Sequence, residues 1–397
     1  MQYSGVVDTL VSLVIAAVVA RWGLFLVLAL IDWARQRRSP VDPADVEPVT
    51  VIVPAWNEEA VIERTVRSLL ASDLADGTQL EVLVVDDGST DATVAVVERM
   101  ADPRVRVLRQ PVNAGKPAAL NAGIEAARTR LVVTIDADTL VDPACLRWLV
   151  ATQRHTGADA VCANVRVGNR GTLLTRWQSL EYVAGLNLDR RALNQLGLIT
   201  TVPGAAALWV RETVRAHGGF SGDTLAEDTD LSITLLEAGR KLVFQDRADA
   251  FTEAPTTVTG LFRQRRRWLG GNLRCIAKHG LGRGAPWSVR LVAFPNLWFA
   301  HIGVYLLPLV VTLWVSIGRD GTEIPVLATL GSVALVLDVC GLLWFYAADR
   351  TDRVDLLFAP LQRTFFPTFV WFVFLSVLSD PPKSWAKITR RNTASIG

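Results

Sequence analysis

Short β-branched runs that each end in acidic or amide side chains set the strongest limit on how this chain can fold. Val49–Val53 runs into Pro54 and then reaches Asn57. Glu81–Val85 ends in Asp86-Asp87-Gly88-Ser89, and Leu131–Ile135 ends in Asp136-Ala137-Asp138. Helical patterns over Glu58–Ala71, Ala92–Met100 and the later part of Asn113–Arg128 separate these runs, with a further strand at Val105–Leu108. Apolar strands alternating with helices predict an α/β domain on a mostly parallel sheet, covered on both faces. Ligands in such sheets bind beyond the carboxyl ends of the strands. Asn57, Asp86, Asp87, Asp136 and Asp138 are therefore expected around one crevice.

The rest of the chain is of another kind. Half of the 397 residues are hydrophobic and the mean hydropathy is +0.29, further to the apolar side than soluble domains usually lie. Val6–Ile31 is almost continuously apolar, broken by Asp8 and Arg21, and is long enough to cross a hydrocarbon core about 30 Å thick. Three more apolar stretches follow at about Leu291–Ile317, Ile324–Ala348 and Phe358–Leu378. The last holds Arg363 and Pro367 and is expected to be re-entrant or interfacial. The predicted division is an anchor at 1–34, a cytoplasmic catalytic domain with interface helices at 35–286, transmembrane helices at 287–380 and a basic tail at 381–397. Arg35, Arg37 and Arg38 after the first span place that end in the cytoplasm of a multi-pass protein of the cell membrane. Forty-one basic against 39 acidic residues leave no nucleic-acid footprint. Four scattered cysteines without a CxxC pair suggest neither a disulfide framework nor a zinc site.

Several strings carry chemistry. In Asp136-Ala137-Asp138, residues two apart at a strand end point the same way. Both carboxylates can serve one hard cation, Mg2+ or Mn2+, that shares its shell with substrate phosphates. Asp86 and Asp87 suit a base or ribose, while Asp91 or Ser89 can make an Asx-turn and N-cap for the next helix, and both can hold at once. Lys116, beside Gly115 at a helix start, suits a diphosphate. Glu227-Asp228 opens another helical pattern, where acids also complement the helix dipole. A sugar hydroxyl needs a carboxylate to take its proton as it attacks, and Asp228 is assigned that task. In Arg263-Gln264-Arg265-Arg266-Arg267-Trp268, Gln264 and Arg267 share a helix face with Trp268 adjacent. Arginine binds phosphate in a bidentate fashion, and an indole can floor an acceptor sugar. The other arginines are expected to face lipid headgroups.

These strings in this order (VIVPAWNEE, VVDDGSTD, NAGKPAALNAG, TIDAD, VPGAAALWVRE, LAEDTDLS, QRRRW) resemble the processive inverting glycosyltransferases of family 2. That group includes poly-N-acetylglucosamine, hyaluronan, chitin and cellulose synthases. The resemblance covers about Val51 to Trp268 and implies a GT-A fold. It implies nucleotide-sugar contacts for Asn57, Glu58, Asp86, Asp87, Lys116 and Asp136, and metal ligation by Asp138 with Asp136. It makes Asp228 the base, assigns Gln264, Arg267 and Trp268 to the gate, and puts Gly204 and Glu227 at the acceptor side.

The activity expected is transfer of a sugar from a UDP-sugar, UDP-N-acetylglucosamine or UDP-glucose, to a growing polysaccharide with a β-linkage. A lipid acceptor, ceramide- or diacylglycerol-like, is the second reading, and a non-catalytic UDP-sugar sensor a remote third. The larger family members have more spans than the four or so here, so export would call for an accessory subunit. Leu173–Leu196 reads as an amphipathic interface helix or as ordinary packing.

Overall fold

The computed structural model describes residues 2–74, 80–280, 282, 284–303, 306, 311, 314, 323–348, 353–382 and 393–396. Most of the basic tail, Lys383 to Arg391 included, lies outside them. A long helix, α1 (Gln2–Arg37), leads into the domain. After it come β1 (Val49–Ala55), α2 (Ile62–Leu70), β2 (Leu80–Asp86), α3 (Thr93–Glu98), β3 (Val105–Arg109), α4 (Lys116–Ala126) and β4 (Leu131–Ile135). Their strands pair in parallel in the order β3-β2-β1-β4.

Period-two alternation sorts the side chains of these strands into two cores. Val49, Val51 and Val53 pack with Ile62, Val66 and Leu69 of α2, while Ile52 turns to the other layer with Leu120 and Ile124 of α4. A slip of one residue would exchange the two faces, so burial on both sides fixes the register.

Next in the chain are β5 (Thr139–Val141), α5 (Cys145–Thr156), β6 (Ala160–Val167), α6 (Leu173–Glu181), α7 (Asn187–Leu196) and β7 (Ala206–Val210). Then come α8 (Arg211–Ala216), α9 (Glu227–Glu237), β8 (Leu242–Thr252) and α10 (Val258–His279). Strand β7 inserts antiparallel between β4 and β6, and the whole sheet reads β3-β2-β1-β4-β7-β6-β8-β5. Four of the seven pairings run parallel, so the sheet is mixed but mostly parallel. On β7 the fully buried Trp209 donates its indole N–H to Thr134 Oγ1 at 3.0 Å and meets Phe220 edge-on at 5.5 Å. A buried tryptophan needs such a partner for its polar end.

The helices outside the sheet are welded to it. Helix α6 passes through a π-helical turn (Tyr182–Leu186) into α7, and Leu180 and Val183 pack with Ala29 of α1, Leu342 and Ala359. The Leu173–Leu196 stretch is therefore a packing layer between the domain and the long helices. Asp32, fully buried on α1, accepts hydrogen bonds from Asn194 Nδ2 (2.6 Å), Gln195 Nε2 (3.0 Å) and Gln36 Nε2 (2.7 Å). Arg191 lies 3.5 Å from Asp32 and 3.1 Å from Asp246. Arg21 faces protein as well: it donates to Asn296 Oδ1 at 2.6 and 3.0 Å and lies against the rings of Phe25 and Phe299.

Toward the C-terminus, Leu291–Ile317 opens as interrupted helix, with α11 (Phe294–Trp298) between two π-helical turns, and much of its remainder lies outside the described residues. Two long helices follow, α12 (Glu323–Ala348) and α13 (Ala359–Ser379). Helix α13 runs unbroken through Pro367, so the stretch expected to be re-entrant is a continuous helix of 21 residues. Among the described residues two helical segments, Thr9–Arg37 and Ala359–Ser379, are long and apolar enough to cross a membrane, while the apolar part of α12, Leu327–Leu343, is shorter.

The α4–β1 contact gives a direct test of this packing. A Cβ added at Gly123 would lie 2.4 Å from Ile52 Cγ2, and Ile52 is fully buried. Gly123→Ala should therefore destabilise the domain by about 1–3 kcal/mol through overpacking. Thermal unfolding of the detergent-solubilised chain measures this, and an unchanged midpoint would contradict the close approach.

Candidate active site

Strand ends, helix starts and one loop bring the predicted residues together. The Asp136 amide donates to the Ala205 carbonyl at 3.1 Å, tying the end of β4 to the segment before β7. Lys116, the first residue of α4, lies with Nζ 2.5 Å from Asp136 Oδ1 and 3.4 Å from Glu227 Oε1. Glu227 and Asp228 open α9. Asp228 accepts from the Gly204 amide through Oδ2 and from the Thr229 amide through Oδ1, each at 2.8 Å. Two backbone donors thus fix the orientation of this carboxylate. A Cβ at Gly204 would lie 3.1 Å from Asp228 Oδ2 and 3.2 Å from Lys116 Nζ, so glycine leaves the space in which the two charges approach.

The loop before α4 explains how Lys116 reaches this point. Gly115 has φ +92°, a conformation that side-chain-bearing residues rarely adopt. Both oxygens of Asp87 accept from this loop, from the Ala114 and Gly115 amides at 2.8 Å each. Asp87 therefore presents Lys116 to the carboxylates. Burial weakens the Lys116 ammonium, but Asp136, Glu227 and Asp228 outweigh it and hold the group well above the usual lysine range. Burial raises Glu227 above the usual carboxyl range, opposed by Lys116 and reinforced by Asp228.

Helix α10 closes the other side. Gln264, Arg267 and Trp268 line a cavity of about 650 Å³ that Lys116, Asp136, Gly204, Glu227 and Asp228 also line. That size is within the usual range of small-molecule pockets, about 300–1,000 Å³. Gln264 Oε1 is buried and accepts no hydrogen bond, so it is available to a ligand. Arg265 forms an ion pair with Glu181 at 2.5 Å and stacks over Trp268 at 4.1 Å. Arg266 pairs with Asp380 at 3.1 Å. These two arginines are held by protein partners instead of facing headgroups; Arg263 is exposed.

The remaining predicted residues sit at the same strand ends but outside the cavity lining. Asp86 Oδ1 accepts from the Ser89 amide at 3.2 Å, three residues on, while the Asx-turn before α3 is made by Asp91, whose Oδ1 accepts from the Thr93 amide at 2.9 Å. Asn57, with φ +54°, accepts from the Thr90 amide at 2.7 Å, and the Glu58 amide donates to Thr93 Oγ1 at 2.7 Å. They stitch the β1 and β2 loops together. Asp138 is buried, with Thr139 Oγ1 at 3.4 Å from its Oδ1. Arg190, not among the predicted site residues, lines the cavity and donates to Asn187 Oδ1 at 2.9 Å, and burial lowers the proton affinity of its guanidinium. A charge inside the apolar pattern of Leu173–Leu196 was the only available signal.

Among the described residues no three His, Cys, Asp or Glu side chains are spaced to hold a metal ion by themselves. The Asp136/Asp138 pair fits a hard divalent cation only where phosphate oxygens complete the shell, which is how Mg2+ usually binds. At this end of the cavity the Lys116 ammonium rests against Asp136 Oδ1.

A family model for glycosyl transferase family 2 matches residues 50–218, a span holding Lys116, Asp136 and Gly204. Residues 50–218 thus match the glycosyl transferase family 2 domain, a little over two fifths of the chain. Its relatives include the poly-beta-1,6-N-acetyl-D-glucosamine synthase of Staphylococcus aureus strain COL, 27% identical over 243 residues, which are 61% of this chain and 58% of that protein. The enzyme of the same description from Staphylococcus epidermidis is 27% identical over 228 residues, 57% of this chain and 55% of the relative. The chain thus spans under two thirds of the length of the curated relatives it matches. A solved mannosyltransferase from Pyrobaculum calidifontis, in complex with GDP-Man and Mn2+, superposes with a TM-score of 0.64 at 22% identity, covering 87% of this chain and 99% of that one. That likeness is one of fold, the GT-A arrangement of this family 2 domain.

Gly204 tests the geometry around the ammonium. Gly204→Ala should leave the fold intact but push Asp228 and Lys116 apart by a few tenths of an ångström. Displacements at reacting groups commonly cost 10- to 100-fold, so turnover should fall by about that factor. Wild-type turnover in a folded Gly204→Ala protein would count against the assignment.

Proposed function

We propose that the enzyme moves a sugar from a UDP-sugar, UDP-N-acetylglucosamine or UDP-glucose, onto a growing polysaccharide with inversion at the anomeric carbon. One observation carries this reading: Lys116, Asp136, Glu227 and Asp228 converge on one point of a cavity that Gln264, Arg267 and Trp268 also line. The N-acetylglucosamine alternative and a polymer product are supported by the name of the staphylococcal relatives, poly-beta-1,6-N-acetyl-D-glucosamine synthase. A nucleotide diphosphate donor with a divalent cation is also what the mannosyltransferase of like fold holds.

In this scheme Lys116 and Arg267 face the donor diphosphate, and Trp268 floors the acceptor sugar. Asp228 takes the proton of the acceptor hydroxyl as that oxygen attacks C1. The C1–O bond to UDP breaks, UDP departs with the electron pair, and the new linkage is β. Asp136 and Asp138 would hold Mg2+ or Mn2+, which neutralises charge on the departing diphosphate. Asn57, Glu58, Asp86 and Asp87 shape the loops on which the nucleoside rests. Helices α1 and α13 anchor the chain in the cell membrane with the catalytic domain at the cytoplasmic face, and an accessory subunit serves export.

A second acceptor class has support of its own. The cavity lining also includes Trp22, Phe25 and Leu26 of α1, Leu342 of α12, and Val370 and Val373 of α13. An apolar lining of this kind suits a glycolipid product as well as a lipid-bound glycan.

Asp228→Asn should abolish transfer, by 1,000-fold or more, while UDP affinity changes little, because the base acts on the acceptor and only at the transition state. Near-normal turnover in that variant would remove Asp228 from the mechanism. Chelation by EDTA should stop turnover and Mn2+ or Mg2+ should restore it, whereas full activity in EDTA would eliminate the cation. Radiolabelled UDP-sugars followed by sizing of the product separate the acceptors: a ladder or polymer supports the polysaccharide, and a single-sugar glycolipid supports the lipid.

A further inference from the structure

Helices α9 and α10 touch along a single face of α10. Gln264, Arg267 and Trp268 on that face line the cavity. Farther along, Gly271 lies so close to the start of α9 that an added Cβ would sit 2.8 Å from the Ala226 nitrogen and 2.8 Å from its Cβ. Cys275 points its thiol at the Ala226 carbonyl at 3.7 Å. The contact ends in a charged cluster. His279 places Nε2 2.8 Å from Asp230 Oδ1 and Nδ1 2.9 Å from Glu237 Oε2. Lys278 Nζ lies 2.8 Å from Asp230 Oδ2 and 3.1 Å from Asp223 Oδ2, with Ser221 Oγ at 3.3 Å. The Asp230 carboxylate is 3% exposed and the His279 ring 7%, so water does little to replace these partners.

A neutral imidazole has one N–H and can donate to one carboxylate only. Carboxylates on both ring nitrogens call for the imidazolium. We propose that His279 is a positioning residue for the transfer reaction: as an imidazolium bridging Asp230 and Glu237, it holds the Asp228 end of α9 against the Gln264–Trp268 face of α10. Asp230 stands two residues from Asp228 and bonds back to the Ala226 carbonyl through its amide at 2.9 Å, so a pull on Asp230 is felt where Asp228 sits. This role rests on the transfer reading above, in which Asp228 is the base.

The charged groups around the ring are Asp230 and Glu237 from α9, Lys278 from α10, and Asp223 from the loop before α9, which reaches the cluster through Lys278. Cys275, whose thiol is pushed up to about 12 by burial, stays neutral. Burial works against the charged ring, but the hydrogen bonds to Asp230 and Glu237 prevail and hold its proton above the ordinary histidine value. A group raised on folding contributes fully below its unfolded value, about 6.5, and that contribution is lost as pH climbs through the raised folded value. The clamp should therefore open on the alkaline side.

The test uses the full chain in lipid nanodiscs, with kcat and donor KM followed from roughly pH 6 to 9. Wild type should lose kcat on the alkaline side with donor KM changed less than about twofold. Glu237→Gln should shift that limb to lower pH, because one of the two carboxylates holding the proton is gone. His279→Gln should run on the order of tenfold slower in kcat below the limb and show no limb of its own. An identical alkaline limb in all three proteins overturns the inference. Thermal unfolding supplies a readout independent of turnover: the gap between wild type and His279→Gln should be wide near pH 6 and close by about pH 9. A gap that ignores pH overturns the imidazolium. Wild-type protein that transfers no sugar overturns the transfer reading and with it the positioning role, whereas an active enzyme with a pH-independent gap overturns the His279 inference alone.

Discussion

The ammonium of Lys116, held among Asp136, Glu227 and Asp228, is the interaction on which the rest of the catalytic half depends. Each of the three carboxylates comes from a different part of the chain or a different place on a helix, and like charges so close repel strongly in a partly dry setting. The lysine cancels part of that repulsion. Its own position is secured by Asp87 through two backbone amides and by the positive φ of Gly115. The strand-end carboxylates therefore divide their duties: some meet the cavity and others hold the loops that deliver the rest. A ligand phosphate entering the cavity would find one cation already centred and a second, Arg267, also in the lining.

Much of this was legible in the sequence, and the reason is local. Strands β1, β2 and β4 are runs of Val, Ile and Leu flanked by turn residues, and their carboxyl-terminal acids follow without interruption, so register and polarity can be read directly. The DxD and the Glu227-Asp228 pair mark a strand end and a helix start, where short-range rules act. The second half of the sheet carried a weaker signal. Strands β6 and β7 are rich in alanine (Ala160, Ala163, Ala206, Ala207) with only short β-branched runs, and tertiary packing overrides propensity there. The antiparallel insertion of β7 beside β4 is a long-range choice that no window of sequence contains.

Contacts between distant segments were illegible for the same reason. Arg265 could be recognised as a charge but not as the partner of Glu181, 84 residues away. Pro367 suggested a break, yet α13 continues through it, since one missing backbone hydrogen bond is a modest loss in a helix packed through Val373, Phe374 and Val377 against Leu269. Arg190 lay inside an amphipathic stretch, and its placement in the cavity depends on the π-helical turn at Tyr182–Leu186 that resets the facing of α7.

The Asp32 knot has a mechanical meaning. Four side chains from α7 and α1 close around a carboxylate on the last turns of the N-terminal helix, tying that helix to the domain directly and not only through residues 38–48. The helix thus behaves as a rigid mount and not as a leash. Its tilt and the height of the crevice are one variable, so whatever surface receives α1 also sets where the cavity beside Asp228 opens.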